Sequence, residues 1–165
     1  MRLDQRVTTR PELKSAITLG VGLGGFVDGI VLHQILQWHS MMSNVIPPNT
    51  LPAMHFNMFW DGVFHAATWI VTFVGVLMLW RSGMRRTLPP LRMLVGGLLT
   101  GWALFNLVEG VINHHWLRLH NVREVSEPLL WNYAFLGIST ALLVVGFTLA
   151  RSARGSTRRR RELLL

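Results

Sequence analysis

Phe26-Val-Asp-Gly-Ile-Val-Leu-His-Gln-Ile-Leu-Gln-Trp-His39 returns, diverged, as Leu107-Val-Glu-Gly-Val-Ile-Asn-His-His-Trp-Leu-Arg-Leu-His120. Asp28 matches Glu109, Gly29 matches Gly110, His33 matches His114 and His39 matches His120. An acidic-Gly pair followed by histidines at the same two offsets marks an internal duplication. The segments downstream match more weakly, through Trp60-Asp61 and Trp131-Asn132. The chain therefore reads as two helical hairpins. Each crosses a bilayer twice, so the copies share one orientation and are related by an axis along the membrane normal. Asp61 faces Asn132 in this alignment and His65 faces Leu136, so any site built from both copies is asymmetric.

The membrane assignment follows from composition. Half of the 165 residues are apolar, only 15% are charged, and mean hydropathy is +0.36, whereas soluble domains carry roughly 25% charged residues. Four segments, approximately 15–42, 55–80, 91–119 and 129–150, reach the ~20 residues needed to cross a hydrocarbon core. Together they predict an all-α integral membrane four-helix bundle made of two parallel helical-hairpin repeats, a single transmembrane domain over 1–165 with a basic tail at 151–165. Prolines 47, 48 and 52 break the first connection, and Pro89-Pro90 the second. The first span is too long and too polar inside for a cleaved signal peptide. The absence of cysteine excludes disulfides, thiolate metal sites and thiol catalysis.

A net charge of +8 invites a nucleic-acid reading, but the arginines gather at span ends instead of forming a face, so no nucleic-acid partner is expected. Arg2, Arg6, Arg10 and Lys14 precede the first span. Arg81, Arg85 and Arg86 lie between the second and third, and Arg151, Arg154, Arg158, Arg159, Arg160 and Arg161 follow the fourth. The positive-inside rule then places both termini and the middle connection in the cytoplasm. The lipid bilayer is the first partner, and the oligomeric state is not readable.

Polar residues inside the spans carry the functional signal, because a central carboxylate costs about 2.5–3.5 kcal/mol on insertion scales. Asp28, Asp61 and Glu109 are such residues, and seven histidines accompany them. A helical rise of about 1.5 Å per residue puts His33, His65 and His114 roughly 10–15 Å inside the outer helix ends. These three, with Asp61 one turn before His65, are the expected principal metal ligands. Asp28, Glu109, His39 and His120 are secondary candidates: the carboxylates as groups that orient imidazoles or carry protons, the histidines at the outer rim. In an ideal helix Asp28 and His33 stand roughly 140° apart, so one ion cannot take both unless the helix is distorted. Gly22, Gly25 and Gly29 fall within about 60° of one another and form a small-residue packing face. Imidazole suits copper, zinc, iron and nickel; Met41, Met42, Met54 and Met58 near His39 and His55 tilt the expectation toward copper over zinc or iron. Each feature has a plainer explanation: histidines as interhelical hydrogen-bond partners, methionines as apolar filler, and Trp38, Trp60, Trp116 and Trp131 as an interfacial belt.

Gly24-Gly-Phe-Val-Asp-Gly-Ile-Val-Leu-His-Gln-Ile-Leu-Gln-Trp-His39, followed by Phe59-Trp-Asp-Gly-Val-Phe-His65, resembles a bacterial four-helix membrane protein family of unknown function. Some members are similar in context or fusion to cytochrome c oxidase assembly proteins that handle copper. The resemblance implies a bacterial cytoplasmic membrane, oxidase assembly proteins as partners, and copper binding that assists metallation of a respiratory oxidase. Competing expectations are an intramembrane di-iron or other carboxylate–histidine oxidoreductase, haem held by two of the histidines, and a metal-free proton or ion pathway through Asp28 and Glu109.

Overall fold

The computed structural model describes residues 10–85 and 88–162, with side chains over 12–85 and 88–153. Arg2, Arg6 and Arg86, and the side chains of Arg10, Arg154, Arg158, Arg159, Arg160 and Arg161, therefore lie outside the described residues. Helix α1 (Arg10–Val27) runs without a break into a π-helix, π1 (Asp28–Ile35). Helix α2 (Leu51–Met84) follows, then α3 (Leu91–Glu109), which runs into π2 (Gly110–Trp116), and finally α4 (Pro128–Glu162). No strand occurs among the described residues, and the all-α bundle of two hairpins is the architecture expected from the sequence. Four stretches are long and apolar enough to cross a membrane: Glu12–Ile35, Leu51–Met84, Leu91–Trp116 and Pro128–Ala153.

Burial is distributed as lipid requires. Fully buried apolar side chains are mostly alanine, whereas Asn57, Thr68, Thr100, Asn132 and Ser139 sit inside and Trp69, Ile70, Phe73, Ile138, Val144 and Phe147 face outward. Between helices in a bilayer there is no hydrophobic driving force, so close contact of small residues and internal hydrogen bonds hold the bundle. Helices α1 and α3 form the central pair; α2 packs on α1 and α4 on α3. At the α1–α3 crossing a methyl added to Gly101 would land on the Ile17 carbonyl oxygen, and one added to Gly20 on that of Leu98. Backbone meets backbone there, and no larger side chain fits.

Those two contacts exchange under the sequence repeat, since Ile17 and Gly20 are the counterparts of Leu98 and Gly101. Gly29 against Phe64 and His65 is likewise repeated as Gly110 against Phe135 and Leu136. A pseudo-two-fold between α1 and α3 is the relation that turns each contact into the other.

The first span departs from expectation at its end. A helix to residue 42 was the simplest reading of the hydropathy, but helical structure stops at Ile35 and Leu36–Thr50 is a folded connection. The cause lies in the backbone. Leu36 N–H bonds to Val31 O at 2.8 Å and Trp38 N–H to Leu32 O at 2.9 Å, widening the last turn, and Gln37 then takes a left-handed φ of 49°. The second copy repeats every step: Leu117 to Ile112 at 2.7 Å, Leu119 to Asn113 at 2.8 Å, and Arg118 at φ 51°. A side-chain-bearing residue in that region costs roughly 1–2 kcal/mol, and no glycine announces either turn. The α3 span accordingly ends at Trp116, three residues before the expected 119, while α2 and α4 outrun their expected limits at both ends. The two connections then grip each other, with Asn44 N–H donating to Leu119 O and Glu124 N–H to Trp38 O, both at 3.0 Å.

Candidate metal centre

The left-handed turns decide where the histidines go. A helix continued through Trp38 would have carried His39 to the outer rim. Instead the chain folds back, and His39 and His120 are buried, 4% and 1% exposed. The rim position expected for both is thus corrected. His33 and His39 rings lie 4.4 Å apart centre to centre, His39 and His120 4.5 Å, and His120 and His114 4.9 Å. Four imidazoles, two from each repeat, form one contiguous group across the pseudo-two-fold.

The π-helices bring the carboxylates into the same group. Hydrogen bonding from i to i+5 adds a residue to each turn, so side chains five apart become neighbours. His33 Nε2 accordingly stands 3.2 Å from Asp28 Oδ2, and His114 Nε2 2.8 Å from Glu109 Oε1. The ideal-helix separation of Asp28 from His33 is removed by this distortion, which the sequence pattern does not reveal. Neither approach is aligned as a hydrogen bond: both nitrogens, together with Asp28 Oδ1, Glu109 Oε2, His39 Nε2 and His114 Nδ1, are buried without such a partner.

Three of the rings are held from behind. His33 Nδ1 is 2.9 Å from Asp61 Oδ1. His39 Nδ1 donates to Val122 O at 2.8 Å, and His120 Nδ1 to Met41 O at 2.9 Å. A backbone carbonyl accepts only, so the proton of a neutral His39 or His120 sits on Nδ1 and the lone pair on Nε2 points inward. For His39 and His120 the anchor comes from the opposite repeat's connection, so interlocking the connections and orienting these two rings are one event. For His39, beyond the end of π1, burial and then the neighbouring His120 and His33 rings push the imidazole down to about 2 despite the Val122 carbonyl. It stays a neutral donor at any ordinary pH. His120 Nε2 also lies 2.9 Å from Glu109 Oε1. With the ring proton on Nδ1 these are two acceptors face to face, which requires a proton or a cation between them.

One ligating atom from each of His33, His39 and His120 fall within 4.8 Å of one another, as do one each from Glu109, His114 and His120. Among the described residues these are the two groups whose geometry could hold a metal. Of the expected principal set, His33 and His114 are in the cluster and Asp61 orients His33. His65 is not brought in: its Nδ1 lies 2.7 Å from the Asp61 carbonyl oxygen of its own helix, and the ring is half-buried against Gly29. His55 is exposed, and His115 turns aside to Gly110 O at 2.8 Å.

Asn57 and Arg123 support the site without any motif that marks them, and Asn132 does so in a role its alignment with Asp61 does not specify. Asn57, 1% exposed, accepts Met42 N–H at 3.0 Å and donates to Ile46 O at 2.8 Å. Asn132 accepts Val122 N–H at 2.9 Å where Asp61 accepts Met41 N–H at 2.7 Å. Asn57 and Asp61, four apart on one helix face, were the available signal. Arg123 lies over both Trp38 and Trp131, 5.0 and 4.9 Å from the ring centres, and braces the connections. A cavity of about 640 Å³ leads to His33, His39 and Asp61, past Gln34, Met54 and Met58.

Residues 15–153 match the family described as "Predicted membrane protein (DUF2243)". The chain belongs to this family. The DUF2243 match covers the first span from residue 15 onward, the other three spans whole, and every residue of the cluster. Comparison with curated proteins and with solved structures gives no match.

Proposed function

We propose that the protein binds a transition metal within the membrane, with copper favoured over zinc and iron. One observation carries the reading: His33, His39 and His120 each have Nδ1 engaged, by Asp61, Val122 O and Met41 O, which leaves Nε2 as the ligating atom of each, and the three residues bring ligating atoms within 4.8 Å of one another. Histidine ligands are characteristically fixed in this way, by a carboxylate or carbonyl on the second nitrogen. The concentration of buried, unpartnered nitrogen and oxygen atoms in the same place is what a bound cation relieves. Asp28, Glu109 and His114 stand ready as further ligands. Met54 and Met58 on the cavity leading inward support copper, because thioether favours Cu(I).

Rings in mutual contact leave no slot for a macrocycle, which places haem behind a bare ion. The arginines of the described side chains at the opposite helix ends, Arg81, Arg85, Arg92 and Arg151, support cytoplasmic termini and an outward-facing metal centre in a bacterial cytoplasmic membrane. Transfer of the copper to a respiratory oxidase is the role that the resemblance carried by the Gly24–His39 motif implies.

The test is elemental analysis of the purified full-length protein, with an absorption spectrum. Stoichiometric copper is the expected result, and its content should fall in a His33→Asn, His39→Asn, His120→Asn variant. A Soret band, iron without haem, or metal content unchanged in that variant would each reject the assignment.

A further inference from the structure

The cluster holds more ligating groups than one ion uses. His33, His39, His114, His120, Asp28, Asp61 and Glu109 are all 5% exposed or less. The ion pairs that the three carboxylates make among the described residues are with imidazoles. If those rings are neutral, the carboxylates leave three negative charges in a dry region. A single divalent ion leaves one of them uncompensated, and a buried unpaired charge is costly. Two divalent ions bridged by one hydroxide neutralise the set.

Within the contiguous cluster the donors form two triads that overlap at His120. The first is His33, His39 and His120; the second is Glu109, His114 and His120. His120 has one nitrogen left to face an ion, Nε2, since Nδ1 is given to Met41 O, so it serves one ion. Glu109 links the groups: Oε1 is 2.8 Å from His114 Nε2 and 2.9 Å from His120 Nε2, while Oε2 is buried without a partner. A carboxylate with one oxygen between two rings and the other free is placed to bridge two cations. Asp28, with Oδ1 unpartnered and Oδ2 3.2 Å from His33 Nε2, occupies the equivalent place in the first repeat.

We propose that the cluster is a two-ion centre, one ion held by His33, His39 and His120 and a second by His114 with Glu109 as the bridge. This rests on the metal-binding reading above and adds the second ion to it. The asymmetry of the repeats makes the ions inequivalent. His33 is backed by Asp61, whereas His114 Nδ1 has no hydrogen-bond partner, and Asn132 spends its amide on Asn121 Oδ1 and Val122 N–H. The second ion is therefore the more weakly held and the more exchangeable.

The experiment strips the full-length protein in detergent with a chelator. It is then reloaded separately with copper(II) and zinc(II), free ion is removed, and the larger metal-to-protein ratio is taken. Two ions per chain are expected, falling to one in a Glu109→Gln, His114→Asn variant whose elution volume and helix content match the unmodified protein. A ratio of one in the unmodified protein overturns the two-ion centre and leaves metal binding intact, whereas a ratio of zero defeats metal binding itself. A variant that keeps two ions overturns the assignment of the second pocket. X-ray absorption on the unmodified loaded protein decides independently of any variant. A metal neighbour at about 3.5–4 Å is expected for a two-ion site, and its absence rejects the bridge.

Discussion

Replacing Asp61 by Asn separates orientation of a ligand from stability of the fold, because the molecule already contains the comparison. Asp61 Oδ1 accepts two bonds, from Met41 N–H at 2.7 Å and from His33 Nδ1 at 2.9 Å. Asn132 Oδ1, its counterpart, accepts the backbone bond alone, from Val122 N–H at 2.9 Å. In Asp61→Asn the Met41 bond can therefore persist, and the connection that buries His39 stays in place. What is lost is the charge-assisted bond fixing His33. Loss of such a partner typically weakens metal affinity 10–100-fold, about 1.4–2.7 kcal/mol. Asp61→Ala should lose that and more, since Met41 N–H would be stranded at a cost of about 1–3 kcal/mol in stability. Competition titration against a chromophoric chelator, beside thermal unfolding in the same detergent, reads both quantities. The expected pattern is a large affinity loss with little change in melting for Asp61→Asn, and both effects for Asp61→Ala. An Asp61→Asn protein that binds metal within twofold of the original would refute the orienting role.

Three further outcomes are expected. Gly101→Ala should destabilise the bundle severely, because the added methyl meets the Ile17 carbonyl, whereas Gly62→Ala and Gly137→Ala meet nothing within 4 Å and should be tolerated; thermal unfolding of the three variants in one detergent makes the comparison. Metal-free protein should lose stability as pH falls below about 6.5, because His39 takes up a proton in the unfolded chain from its ordinary value of 6.5 but in the folded one only near 2. That single group contributes up to about 1.4 kcal/mol per pH unit; equal falls in melting temperature between pH 7.5 and 5.5 for the original and His39→Gln proteins would contradict it. Arg123→Ala removes the cation that lies over Trp38 and Trp131 and should cost about 1 kcal/mol, with altered tryptophan emission; unchanged emission and melting would show that the brace contributes nothing.

Hydropathy and repetition made the four spans, their pairing into hairpins and the asymmetry at Asp61 and Asn132 legible without coordinates, because each is a property of local composition or of alignment. His33, His114, Asp28 and Glu109, which the structure gathers into the cluster, stand out in the sequence for the same reason, since polar groups in a bilayer are costly unless paired. His39 and His120 were visible as repeated residues but were assigned to the rim, and the reason is physical. Their burial depends on left-handed turns at Gln37 and Arg118, which no glycine marks, and on carbonyls 83 and 79 residues away in the chain. His65 erred in the opposite direction: depth along a helix placed it with the others, but depth does not specify azimuth, and its ring ended against its own backbone and Gly29. Which nitrogen of each ring is free, and which rings share a pocket, are consequences of two connections folding across each other. Contacts of that kind belong to the tertiary structure alone.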